Sequence, residues 1–282
     1  MIYILLSVSC SVTVAVLLKL ARRYKINVLQ AVLWNYLVAI ILGFIFFKPE
    51  LNAVFLKPSL LQVSLGVLLP LLFLILAKSV RNMGIVKTDI AQRLSLFIPI
   101  IASLYLFGDK FNGLKIAGLL IGFTAIILTL LRKSEVKSER ANYLFPAMVF
   151  VGFGVIDVMF KKLATNIVVP YTTALIGIFC ISFIVSLFVI LYTVLLKKQK
   201  VELVNFLCGS ILGLFNFGNI IFYMKAHRVM ADHPSTVFAA MNMGVIVVGT
   251  LIGVILFKEK ISKLNYLGIG MALIAIILIT LS

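Results

Sequence analysis

Apolar runs as long as a lipid bilayer is thick recur along nearly the whole chain, and they constrain its fold more than any other feature. A helix rises about 1.5 Å per residue, so roughly 20 apolar residues cross the hydrocarbon layer. The runs place helices over 2–20, 28–47, 59–80, 88–107, 114–131, 141–163, 171–196, 203–224, 235–257 and 265–281. Helix-ending residues fall in the breaks: Lys48-Pro49, Lys57-Pro58, Gly108-Asp109, Asn112-Gly113, Pro170 and Pro234. A spanning barrel would alternate over segments of roughly ten residues, whereas these runs are longer and continuously apolar. The expectation is an all-α integral membrane protein with about ten transmembrane helices.

Composition agrees. Of 282 residues 63% are apolar and 12% charged, against roughly 25% charged in a soluble domain. The net charge of +17 does not point to nucleic acid, because the basic residues sit between apolar runs, as in Arg22-Arg23, Arg132-Lys133 and Lys197-Lys198, and not on one folded face. Membrane lipid is the expected surrounding partner, and nucleic acid is excluded. Cys10, Cys180 and Cys208 lie inside apolar runs with no disulfide or zinc spacing. The first run starts at Met1 without a basic leader and reads as a span, not as a signal peptide.

The most polar break, 132–140, lies near the midpoint, and the sequence on either side of it repeats. Phe107-Gly108-Asp109-Lys110-Phe111-Asn112-Gly113-Leu114 aligns with Phe257-Lys258-Glu259-Lys260-Ile261-Ser262-Lys263-Leu264. At the same offset Gly118 meets Gly268, and Ala125-Ile126-Ile127-Leu128 meets Ala275-Ile276-Ile277-Leu278. Lys19-Leu20-Ala21 aligns with Lys162-Leu163-Ala164 at a slightly smaller offset. The organisation predicted is a first repeat over 1–131, a linker over 132–140 and a second repeat over 141–282. Five helices per repeat make the second copy enter the membrane from the opposite side. The two copies are then inverted about an axis in the membrane plane.

Counted by connection, 18 of the 26 lysines and arginines flank the odd-numbered connections. The positive-inside rule then places connections 1–2, 3–4, 5–6, 7–8 and 9–10 in the cytoplasm and both termini outside. The expected location is the cytoplasmic (inner) membrane of a prokaryote.

With these features the chain resembles the EamA-like branch of the drug/metabolite transporter superfamily. The residues that carry the likeness are the acids after the fourth and ninth helices (Asp109 and Glu259), Lys19 and Lys162, the alanines Ala77 and Ala226, and Pro99 in the fourth helix. It departs from the family pattern at Lys258, where a glycine precedes the acid in other members, and at Gly249, which aligns with Pro99. The resemblance implies a permease or exporter of a small metabolite such as an amino acid, sugar or drug-like solute, driven by an ion gradient or exchange. It implies no enzyme activity. Many members of the family keep their termini in the cytoplasm, opposite to the charge count here.

Ionisable residues at membrane depth are the candidates for a site, since a charge there costs at least about 2.5–3.5 kcal/mol. Asp157, in the sixth helix, aligns with the apolar Val14, so its charge belongs to one half alone. It could hold a cationic group or a coupling H+ or Na+; alternatively it pairs with Lys161 one turn on. Arg93 has Met243 at its aligned position and could present its fork of donors to a substrate carboxylate or phosphate. Asp89, four residues earlier, could neutralise it, and Gln92 and Ser95 flank it. An exchangeable Arg93–Asp157 pair is a further option. Asn35, Asn216, Asn219, Tyr223 and Asn242 either line a cavity or hydrogen-bond between helices, and Asn216, Asn219 and Tyr223 share a helical face.

Other features are read as structural. Gly244, Gly249 and Gly253 suit close helix packing. Asp109 and Glu259 suit helix starts, and Trp34 is open to either packing or lining. His227 and His233, near a loop, lack metal spacing, and no bound cofactor is expected.

The chain is therefore expected to be a secondary transporter acting on a small-molecule substrate, as a monomer or homodimer. The alternatives are a lipid-linked carrier flippase of the same superfamily and an integral membrane enzyme. The enzyme would need a catalytic cluster that the two distant histidines and nine acids do not form. With no phosphate-binding loop motif, ATP is not the direct energy source within this chain.

Overall fold

The computed structural model describes residues 1–24, 26–49, 57–83, 85–130, 143–166, 170–198, 200–258 and 262–281. The 132–140 linker, Lys25, Glu259 and Lys260 lie outside the described residues, as do the side chains of Lys19, Arg22 and Arg23. Described residues form α1 (Ile2–Arg23), α2 (Val28–Phe47), α3 (Leu60–Met83), α4 (Ile85–Leu94), α5 (Phe97–Leu106) and α6 (Gly113–Leu130). They continue with α7 (Leu144–Ala164), α8 (Tyr171–Lys197), α9 (Leu203–Val229), α10 (Pro234–Phe257) and α11 (Lys263–Thr280), and include no strand.

Among the described residues, eight stretches are long and apolar enough to cross a bilayer, one of them running through α4 and α5, and Ile2–Leu18 and Gly113–Thr129 are shorter apolar helices. This is an all-α membrane protein.

Prolines shape two of the spans. Within α3, Pro70 has no N–H to give the carbonyl of Gly66. That carbonyl instead accepts from Ser182 Oγ of α8 at 2.9 Å, so a hydroxyl from a neighbouring helix satisfies a backbone group in hydrocarbon. The expected single helix over 88–107 is divided at Ser95–Leu96 into α4 and α5. Pro99 is the cause, because its ring crowds the Ser95 carbonyl and it cannot donate to it. Ile98 N bonds that carbonyl instead at 3.0 Å, and Leu96 N bonds Arg93 O at 3.3 Å. A tight turn thus interrupts the fourth span at mid-course.

Helices pack in a reciprocal pattern. Helix α1 lies on α9 and α10, and α7 lies on α3 and the α4–α5 pair. Likewise α2 packs on α9 and α8 on α3, while α2 meets α8 and α6 meets α11. With α4 and α5 counted as one, exchanging each helix for the one five places along returns this same set of pairs.

Contacts at helix ends sort the connections onto two faces. On one, Gln30 Nε2 donates to Lys200 O at 2.8 Å and Asn205 Oδ1 accepts from Asn27 N at 2.9 Å, joining the α1–α2 and α8–α9 connections. Asn265 Nδ2 donates to Thr129 O at 2.7 Å on this side as well. On the opposite face, Asp109 Oδ2 accepts from Ser235 N at 2.8 Å, joining the α5–α6 connection to the start of α10.

The closest helix approaches use glycines outside the predicted 244–253 stripe. A Cβ on Gly213 would lie 2.7 Å from Asn35 O and 2.9 Å from Val38 Cβ, so α9 and α2 meet backbone to backbone there. Gly213→Val should therefore lower stability by about 1–3 kcal/mol through overpacking. The thermal unfolding midpoint of the detergent-solubilised protein should fall accordingly, and an unchanged midpoint would contradict this packing.

Candidate functional site

Helices α1, α2, α3, α7, α9 and α10, with α4 and its turn, enclose a cavity of about 340 Å³. Its size suits a small molecule. The polar wall comes from three elements. The broken fourth span presents Asp89, Gln92, Arg93 and Ser95, α7 presents Asp157, and α9 presents Asn216, Asn219 and Tyr223 from one face. Asn242 adds to it from α10 and Ser11 from α1, while Phe73, Phe153, Phe160 and Leu72 form much of the apolar wall.

Pro99 places the first group. At the turn it imposes, Ser95 Oγ donates to Gln92 O at 2.6 Å, and Gln92, Arg93 and Ser95 all face the cavity. Gly154 of α7 lets this turn come close: a Cβ there would lie 2.9 Å from Ser95 O. Arg93 Nε is 3.6 Å from Asp89 Oδ1, and Asp89 is the more exposed partner at 39% against 18%. The neighbour expected to neutralise Arg93 does so, but only partly: Nε has no hydrogen-bond partner among the described residues.

Asp157 does not pair with Lys161. Its Oδ1 accepts from Tyr223 Oη at 3.0 Å, while Lys161 turns away, donating to Ala231 O at 2.8 Å and His227 O at 3.3 Å. Arg93 and Asp157 are near enough for their charges to interact, yet no direct bridge joins them among the described residues. The cavity thus presents an anion, Asp157, without a cationic partner, and a cation, Arg93, held only by its long contact with Asp89.

Seven of the eight residues singled out in the sequence, Arg93, Asp157, Gln92, Asn216, Asn219, Tyr223 and Asn242, line this one cavity. Asn35 stands behind it, fully buried, accepting from Asn216 Nδ2 at 3.1 Å. The amides both line and bind. Asn219 Oδ1 accepts from Ser7 Oγ at 2.7 Å, and Asn242 Nδ2 donates to Phe238 O in its own helix at 3.1 Å.

Sequence reasoning gave Asp89 a neutralising role only and left Ser11 and the aromatic wall unnoticed. It also missed the buried contacts on the face of the α9–α10 connection. There the buried pair Lys115–Asp109, 2.8 Å apart, holds Asp109 against the start of α10. His227, expected near a loop, is buried in the last turn of an α9 that runs five residues past its predicted end at 224. It packs between Tyr223 and Phe238, with ring centroids 4.6 Å away on each side.

Known proteins resemble this chain along its whole length. Residues 1–131 match the model of the EamA-like transporter family. An uncharacterized protein of Haemophilus influenzae is 37% identical, the match covering 97% of this chain and 95% of that one. A solved crystal structure superposes on 99% of the chain and 96% of its own length, with a TM-score of 0.77 at 15% identity, a likeness of fold alone.

The cavity predicts a difference in thiol reactivity. In a background without native cysteines, Val14→Cys should react with a water-soluble maleimide on the order of tenfold faster than Ala174→Cys, which is fully buried away from the cavity. Equal rates would contradict the lining described.

Proposed function

The chain belongs to the EamA-like transporter family, and we propose that it is a secondary transporter carrying a small zwitterionic metabolite, of the amino-acid class, by alternating access. One observation carries the reading: Arg93 and Asp157, of opposite charge and not bridged to each other, face a common cavity with amides and aromatic rings around them. A guanidinium suits a carboxylate and a carboxylate suits an ammonium, while the aromatic wall suits an apolar side chain. A sugar would engage the amides but leave Asp157 without a cationic counterpart and Arg93 with Asp89 alone.

Alternating access needs two units that move against each other, and we read them as inverted repeats over 1–131 and 141–282. The reciprocal helix pairing supports this. So does the α6–α11 contact, in which Gly118 lies against Ile279 and Gly268 against Thr129. These two contacts exchange under the repeat offset itself.

We read the face of the α9–α10 connection as the closed one, because Asp109, Lys115 and Ser235 are buried and bonded there, and the face toward the half-exposed Asp89 as the open one. On the charge count that open face is the cytoplasmic side of the inner membrane. We assign coupling to H+ or Na+ to Asp157, the carboxylate in the cavity wall without a cationic bridge. A lipid-linked substrate would need a way in from the bilayer. The apolar crevice lined by α2, α3 and α8 holds about 90 Å³, too little for a lipid headgroup, which favours a water-soluble substrate.

The test is flux into proteoliposomes against a panel of amino acids, sugars and cationic drugs, under imposed pH or Na+ gradients. Amino acids should be carried, and Arg93→Ala and Asp157→Asn should each lower flux by about tenfold or more, since each removes a charge-assisted contact. Both variants must still insert and purify as monodisperse protein. Wild-type flux from both would sink the assignment of the site.

A further inference from the structure

Helix α7 carries Asp157 and Lys161 one turn apart, the spacing at which an acid and a lysine pair on a helix surface. Here both meet α9, one turn apart, and bond different groups of it in place of each other. Asp157 points into the cavity toward Tyr223. The Lys161 side chain is buried, 1% exposed, and its ammonium bonds the carbonyls of His227 and Ala231, in the last turn of α9 and in the α9–α10 connection. It also lies 5.8 Å from the centroid of the Phe107 ring, just beyond α5. Asp109 and Asp232 are close enough to act on its charge, but neither bridges it. One ammonium therefore gathers α7, the end of α9, the α9–α10 connection and the α5–α6 connection at the end of the bundle read as closed.

Opening the cavity at this end requires α7 to part from the end of α9 and the start of α10. The two carbonyls then leave Lys161, and a buried ammonium without partners is strongly unfavourable. The anion it can reach within its own helix is Asp157.

Building on the carrier reading above, we propose that Lys161 is the latch of the α9–α10 face and exchanges partners during transport: the His227 and Ala231 carbonyls while the face is closed, the Asp157 carboxylate once it opens. In the open arrangement Lys161 competes with the substrate's cationic end for Asp157. Opening of this face and release of that end are then one event. The same pair satisfies Asp157 in the empty carrier.

The test uses the full chain with Cys10, Cys180 and Cys208 replaced, a Val245→Cys reporter in the cavity wall, and a membrane-impermeant maleimide added to either face of oriented vesicles. With Lys161 intact the reporter should label from both faces, more slowly from the α9–α10 face. Lys161→Met should raise the rate from that face about tenfold, because the closed state loses its latch, within the usual range of conformational coupling. Asp157→Asn should lower it by a similar factor, because the open state loses the exchange partner. Lys162→Met, at the exposed neighbouring position, should leave it unchanged.

Unchanged labelling from the α9–α10 face in a monodisperse Lys161→Met protein overturns the latch. Should that variant not fold, an Asp157→Asn rate equal to or above that of the intact protein overturns it equally. Labelling of the intact reporter from one face only is a different outcome, which overturns alternating access and the latch with it.

Discussion

A charge that cannot reach water must find its partner inside the protein, and in this chain that requirement decides which helices hold together. Lys115 and Asp109 are both buried and lie 2.8 Å apart. Their bond alone would tie only the two ends of the α5–α6 connection. The second carboxylate oxygen, accepting from Ser235 N, extends the tie to α10. Breaking one member of a buried pair costs about 3–5 kcal/mol because the survivor is left uncompensated. These contacts and those of Lys161 therefore hold the α9–α10 face together as a group.

The cavity itself follows the opposite rule. Arg93 keeps a long contact with Asp89, and Asp157 has a phenol for its hydrogen-bond partner. Each charge is tolerated without being fully neutralised, as suits groups that must still take up a ligand. Their positions come from the backbone. The turn forced by Pro99 aims Gln92, Arg93 and Ser95 inward, and Gly154 allows α7 to bring Asp157 within reach of the same space. Pro70, in contrast, leaves α3 continuous, since Ser182 supplies the missing donor. Two prolines at similar depth thus have different outcomes, decided by whether a neighbouring helix covers the freed carbonyl.

The spans were legible in the sequence because bilayer thickness sets their length and the runs are long. Depth and polarity were enough to single out Arg93, Asp157 and the α9 face of Asn216, Asn219 and Tyr223. What escaped depends on which side chain meets which across helices. Local spacing suggested an Asp157–Lys161 pair, but carbonyls at the end of α9 offered Lys161 a partner that no i to i+4 rule contains. The α4–α5 break needed more than the presence of Pro99, since Pro70 breaks nothing. Asn35 looked like a lining residue from its depth, yet it supports Asn216 from behind, a distinction of a few ångströms in side-chain direction.

Transport as proposed needs one cavity exposed to the two faces in alternation. Its most direct test is the distance between spin labels at Lys110→Cys and His233→Cys, exposed positions on the connections joined by Asp109 and Ser235. Pulsed electron paramagnetic resonance in lipid nanodiscs should give a short and a long distance population, with their ratio shifting when a transported amino acid is added. A single distance distribution, unmoved by any amino acid that the reconstituted protein carries, would contradict it.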